Sequence, residues 1–151
     1  KKAKHLLKGM PEDKIIDTSI NLNVPAYIDN DYLPQAELRL EMYKRLAECK
    51  TLDELEILKD EIVDRFGPFS KTFQNLIELT KLKIISMPLM IKRIIGTNKR
   101  IECTFDSESP ILADNKTNNV LVFNPQEDNS ILFLQDTFST IISNLKLDEA
   151  S

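Results

Sequence analysis

DNDYLPQAELRLEMYKRLAECKTLDELEILKDEIVDR, residues 29–65, runs directly into Phe66-Gly67-Pro68, and its reading decides the fold. A first helix is expected from about Gln35 to Glu48. Leu38, Met42 and Leu46 recur at helical spacing with Tyr43 and Ala47 beside them, while Glu37, Arg39, Glu41, Lys44 and Arg45 fill the other side. Glu41 and Arg45 form a favourable pair four residues apart. A second helix starts at Thr51, an N-cap residue followed three positions later by Glu54, the pattern of a capping box. Leu55, Leu58, Ile62 and Phe66 share one arc of it; Gly67 closes it and Pro68 prevents continuation. At 3.6 residues per turn, its opposite side carries Asp53, Asp60, Glu61 and Asp64 around Ile57. Two readings of that acidic side stay open. It is a solvated face with a stray isoleucine, since single exposed apolar residues are common. Or it is a docking face with an apolar centre for a basic partner.

Outward from this stretch, Asp17–Val24 alternates, with Ile20, Leu22 and Val24 on one side, and reads as a half-buried strand ended by Pro25. Lys1–Lys8 reads as the end of a helix stopped by Gly9 and Pro11. Downstream, Ser70–Met87 is apolar on more than one stripe and reads as a third helix, packed on its neighbours and on a sheet. Ile91–Ile95 and Lys99–Phe105 read as a hairpin about Gly96-Thr97-Asn98, followed by short strands at Asn119–Phe123 and Ser130–Leu134. A last helix covers Thr137–Leu147. Lys92, Arg93, Lys99 and Arg100 gather at the hairpin and read as a sheet edge protected from aggregation. Helices in one run and strands in the next predict an α+β fold: three consecutive helices packed on a small, mostly antiparallel sheet, with a short C-terminal helix. Residues 1–16 read as a lead-in or linker from a preceding domain and 17–151 as a single domain. The chain starts at Lys1, not Met, and reads as a piece of a longer polypeptide.

Composition narrows the function. The 151 residues carry a net charge of -4, which argues against a free-standing nucleic-acid binder. No apolar run approaches the ~20 residues of a membrane span, and no h-region follows the basic start. Cys49 and Cys103 lack metal-type spacing and read as buried free thiols of a cytoplasmic protein. The three glycines form no phosphate-binding loop, no serine sits in a nucleophile elbow, and His5 is the one histidine. These absences predict no catalytic residue, no metal site and no cofactor in this chain. A small hydrolase working through surface carboxylates would need a cleft that separates two carboxyl pKa values. A weak DNA-binding accessory domain would use Lys92, Arg93, Lys99 and Arg100.

From about Asp17 to Ile94 the chain resembles the C-terminal domain of bacterial transcription-repair coupling factor. The residues that carry the resemblance are INLNVPAYI, DYLP, ELRLEMYKRLAECKT, DELEILKDEIVDRFGP and LIELTKLK, above all RL-x-x-YKRLA followed by E-x-x-DRFGP. The sequence departs from the family at Ser107–Lys116, which is short and contains Pro110. The resemblance implies a non-catalytic regulatory domain, expected to be monomeric, of an ATP-driven DNA translocase whose motor domains use ATP and magnesium. That translocase displaces stalled RNA polymerase from damaged DNA and recruits nucleotide excision repair. In the family this domain docks on the N-terminal module, masks the surface that binds the damage-recognition ATPase, and restrains the motor. Carried onto the matching E-x-x-DR run, the docking role falls on Glu61, Asp64 and Arg65, with Ile57 beside them. Glu61 and Arg65, four apart, would hold each other ready for the partner.

Overall fold

The computed structural model of the protein describes residues 17–110, 119–125 and 129–150, with side chains as far as 145. They fall into two compact units. One is formed by the segment Val24–Ile84; the other joins the chain up to Asn23 with the chain from Ile85 onward. The reading of Lys1–Lys8 as a helix, His5, and most of the segment 107–116 lie outside the described residues.

The first unit is helical. Helix α1 spans Ala36–Glu48, α2 spans Leu52–Phe66 and α3 begins at Lys71 and runs to Ser86. Their inward stripes meet in one cluster of Ile28, Leu33, Met42, Leu46, Leu55, Leu58, Ile62, Phe73, Ile77 and Ile84, all buried. Met42, Leu46, Leu55, Leu58 and Ile62 are the residues that the helical spacing singles out.

Local chemistry sets the ends. Thr51 Oγ1 accepts the Glu54 N–H at 3.1 Å, while the Glu54 carboxylate reaches back to the Lys50 N–H at 2.7 Å, one residue upstream of the usual reciprocal bond. Gly67 closes α2 at φ 95° and ψ -178°, a combination open essentially to glycine, and its N–H donates to Val63 at 2.8 Å. Its carbonyl accepts the Tyr32 hydroxyl at 2.6 Å.

The connector before α1 is fastened by its own polar groups. Asp29 accepts from the Ser70 hydroxyl, from Thr72 at 2.9 Å and from the Tyr32 N–H at 3.1 Å, tying the connector to the start of α3. Arg39 donates to the carbonyls of Leu33 and Pro34, both at 2.8 Å, and the Tyr43 hydroxyl accepts the Ile28 N–H at 2.8 Å. Tyr32 stands edge-on to Phe73 with ring centroids 5.2 Å apart, and Phe69 completes this aromatic group.

The second unit is a sheet with one helix. Strands β1 (Ser19–Leu22), β2 (Ile91–Gly96), β3 (Ile101–Phe105) and β4 (Val120–Phe123) lie in that order, β1 parallel to β2 and the other pairs antiparallel. The fold is therefore α+β with a mostly antiparallel sheet, as expected. Ile94 and Cys103 face each other in a buried row, and Ile91, Ile101 and Phe105 are buried with them. Gly96 opens the hairpin turn, where a Cβ would stand 2.2 Å from the Arg100 carbonyl oxygen.

Four expectations are corrected. Ser130–Leu134 is not a strand but the opening of helix α4, Ser130–Ala150. Asn129 accepts the Leu132 N–H at 3.1 Å as an N-cap, and Ile131, Leu134 and Phe138 are buried at helical, not alternating, spacing. The last helix is accordingly not short: at 21 residues it exceeds α3. The basic residues of the hairpin do not guard an edge, because β2 and β3 are the two inner strands of the sheet. Of the two free thiols only Cys103 is buried, and burial pushes it up to about 12; Cys49 is half-buried, with Sγ 3.5 Å from the Arg45 carbonyl.

Two predictions follow from these bonds. Thr51→Ala removes the cap of α2 and is expected to cost about 1 kcal/mol in urea denaturation, with an unchanged m-value. The hydrogen bond from Ser70, then those from Thr72 and the backbone, hold the Asp29 carboxyl below its ordinary value of 3.8. A folded pKa depressed below the unfolded one contributes stability that is present above the unfolded value and lost as pH falls through the folded value. Asp29→Asn is thus expected to lower the Tm at pH 7 and to flatten the decline of Tm below about pH 4, measured by circular dichroism across a pH series.

Candidate docking surface

The outward side of α2 is built by the same periodicity that buries Leu55, Leu58 and Ile62. With those three inside, Asp53, Ile57, Asp60 and Asp64 are all exposed, and Ile57 is 68% exposed. The apolar centre ringed by carboxylates that the helical pattern described is present on the surface.

Glu61 sits at the border of this face and is already engaged. Arg45 of α1 donates to both of its carboxylate oxygens, Nη1 to Oε2 at 2.6 Å and Nη2 to Oε1 at 2.8 Å. This two-pronged pairing is directional and joins α1 to α2. It depresses the Glu61 carboxyl below the ordinary glutamate range, the Arg45 hydrogen bonds being the largest cause, and raises Arg45 in turn. Glu41, one turn before Arg45, adds to the field on that guanidinium.

Arg65 plays the lesser part in this pairing. Its Nη1 stands 3.6 Å from Glu61 Oε2, an ion-pair separation longer than a hydrogen bond, and its guanidinium lies over the Phe66 ring at 4.8 Å from the centroid. The expected Glu61–Arg65 pair is therefore secondary to Glu61–Arg45. The sequence shows Arg45 only as a neighbour of Glu41 on its own helix; the packing of α2 against α1 decides its partner. Asp64 and Ile57, with no such engagement among the described residues, present the open part of the face.

Chemically, the surface offers a free carboxylate at Asp64, further carboxylates at Asp53 and Asp60, an apolar contact at Ile57 and a cation at Arg65. That set can receive a basic surface. Among the described residues, no group of three or more His, Cys, Asp or Glu side chains could hold a metal ion. A groove along α4, lined by Phe133, Asp136, Thr137, Thr140 and Ile141, carries one carboxylate. No described helix is long and apolar enough to cross a membrane.

Comparison with known proteins places these features. The chain is 41% identical over 75 residues to the transcription-repair-coupling factor of Haemophilus influenzae, a stretch covering 50% of this chain and 6% of that protein. It is 34% identical over 82 residues to that of Escherichia coli, covering 54% and 7%, and 27% identical over 92 residues to that of Staphylococcus aureus, covering 61% and 8%. The matched stretch thus spans less than a tenth of the length of each of these relatives. Its fold matches the crystal structure of the C-terminal domain of transcription-repair coupling factor with a TM-score of 0.76 at 20% identity, over 91% of this chain and 97% of that one. The family model of the TRCF domain matches residues 22–116, a span that includes α1, α2 and the E-x-x-DR run, and the chain belongs to the TRCF domain family.

Proposed function

We propose that this chain is the C-terminal regulatory domain of a transcription-repair coupling factor, and that the outward side of α2 is its docking face for the N-terminal module of the same polypeptide. In this reading the parent is an ATP-driven DNA translocase that releases stalled RNA polymerase and recruits nucleotide excision repair. The docked domain masks the surface for the damage-recognition ATPase and restrains the motor. The observation that carries the proposal is the exposed Ile57 beside the free Asp64 carboxylate, on the E-x-x-DR run of a TRCF domain.

The physics supports a polar, reversible contact. Carboxylates receive arginines in a directional pairing that tolerates partial burial, and Ile57 supplies an apolar contact at the centre of the face. Arg65 can answer an acidic residue of the partner. Glu61 contributes by position: held by Arg45, it keeps α1 and α2 in register.

The two acidic positions make different predictions. Asp64→Lys alters a free carboxylate and is expected to leave the Tm within about 2 °C of the parent chain while weakening docking at least about tenfold, measured by calorimetry with the purified N-terminal module. Normal affinity with normal folding would remove Asp64 from the surface. Glu61→Lys puts a cation against Arg45, so it is expected to lower the Tm as well as the affinity, and Arg45→Glu in the same chain to restore Tm before affinity. In the full-length protein, Asp64→Lys is expected to raise the basal ATPase rate and the capture of the damage-recognition ATPase.

A further inference from the structure

The sheet of the second unit has two faces, and only one is buried. Its register carries two rows across all four strands on the other face: Asn21–Ile95–Glu102–Val122 and Ser19–Arg93–Thr104–Val120. Ser19, Asn21, Arg93, Ile95 and Val122 are exposed and Glu102, Thr104 and Val120 half-buried, so no described element covers this face.

The hairpin adds charge to it by a specific device. The β2–β3 register slips between Ile91 and Arg93, making Lys92 the extra residue of a bulge. Strict alternation would turn one of two adjacent residues inward; the bulge leaves both Lys92 and Arg93 exposed. Lys99 and Arg100 are exposed at the turn end of the same hairpin. Arg100 is paired with Glu102 at 2.9 Å, whereas Lys92, Arg93 and Lys99 have no ion pair among the described residues. Four cations against one carboxylate thus stand on a chain whose net charge is -4. Because the hairpin's strands are the inner ones of the sheet, these cations serve no edge protection.

We infer that this open sheet face is a second docking surface, whose partner is an acidic amphipathic protein helix. Cations flank the face at both ends of the hairpin, about 10 Å or more apart at the rise of a strand, and Ile95 of β2 and Val122 of β4 supply two exposed apolar contacts on either side of Glu102, whose carboxylate is paired with Arg100. That pattern complements a helix with an aliphatic stripe edged by glutamates or aspartates. A helix suits it better than a strand, because a face offers side chains and no free backbone groups, and a sheet face is covered in folds by a helix laid across it. A phosphate backbone suits it less well, since Glu102 and the two aliphatic residues occupy the centre where phosphates would lie.

The test uses the isotope-labelled chain and three probes: a synthetic amphipathic peptide with a leucine stripe flanked by glutamates, the same peptide with glutamines, and a ~20 bp duplex DNA. The glutamate peptide is expected to shift the amide signals of residues 92–104 and 120–122. Its affinity is expected to fall at least about fivefold in Lys92→Glu/Arg93→Glu and in Ile95→Asp. Should either variant lose its dispersed spectrum, Lys92→Gln, which alters only one exposed side chain, is read in its place and is expected to weaken binding in the same direction. The inference is overturned if the glutamate peptide leaves these signals unmoved, if the glutamine peptide binds as well, or if the duplex shifts them in preference. Shifts in the same residues that depend on chain concentration alone would also overturn it, marking a contact between copies.

Discussion

The parallel pairing of β1 with β2 is the constraint on which the chain's organisation rests. Residues far apart in sequence must lie side by side: Thr18 Oγ1 donates to the Ile91 carbonyl at 2.7 Å across 73 positions, and the Asn23 N–H reaches the Gly96 carbonyl at 3.3 Å. A parallel pair cannot be closed by a tight turn and needs a crossover. Here the crossover is the whole helical unit. As flexible chain, it would oppose the pairing through loop-closure entropy that grows with the logarithm of its length. As a folded unit, held by its own core around Met42, Leu55, Ile62, Phe73 and Ile77, it has already given up that freedom. The Tyr27 N–H bond to Thr72 at 3.2 Å and the Asn75 amide bond to Pro25 at 2.8 Å fasten the entry of the crossover to its last helix.

Within the helical unit, the acidic residues of α2 divide into one that is paired across helices and others that face outward. Glu61 accepts two hydrogen bonds from Arg45 and so joins two helices, whereas Asp64 and Asp60 are exposed and have no ion pair among the described residues. The division explains how a face can be strongly acidic and yet stable, since the repulsion among its carboxylates is offset at the border by a two-pronged arginine. It also separates the roles of adjacent residues in one short motif: Glu61 organises, while Asp64, Ile57 and Arg65 face outward.

The two surfaces discussed differ in how the backbone presents them. On α2 a regular helix puts one side in and one side out, and no irregularity is required. On β2 a bulge breaks the alternation, because a regular strand could not expose Lys92 and Arg93 together. An irregular backbone at that point ties a sequence feature to a surface property in a way that a count of charges does not.

The sequence alone determined the elements whose signals are local. Thr51 with Glu54, Gly67 with Pro68, and the spacing of Leu38, Met42, Leu46, Leu55, Leu58 and Ile62 set α1 and α2 nearly to the residue, and with them the acidic face around Ile57. The hairpin and the alternation of β1 were equally legible, since capping, turn chemistry and periodicity act within a few residues. Where a short apolar run admits both periods, at Ser130–Leu134, local signals did not suffice, and burial of Ile131, Leu134 and Phe138 on one side chose the helix. Strand order, the inner position of the basic hairpin and the pairing of Glu61 with Arg45 ahead of Arg65 were decided only in the tertiary structure. Each depends on which segments far apart in the chain come to lie together, and that follows from how the buried faces pack, not from any spacing along the chain.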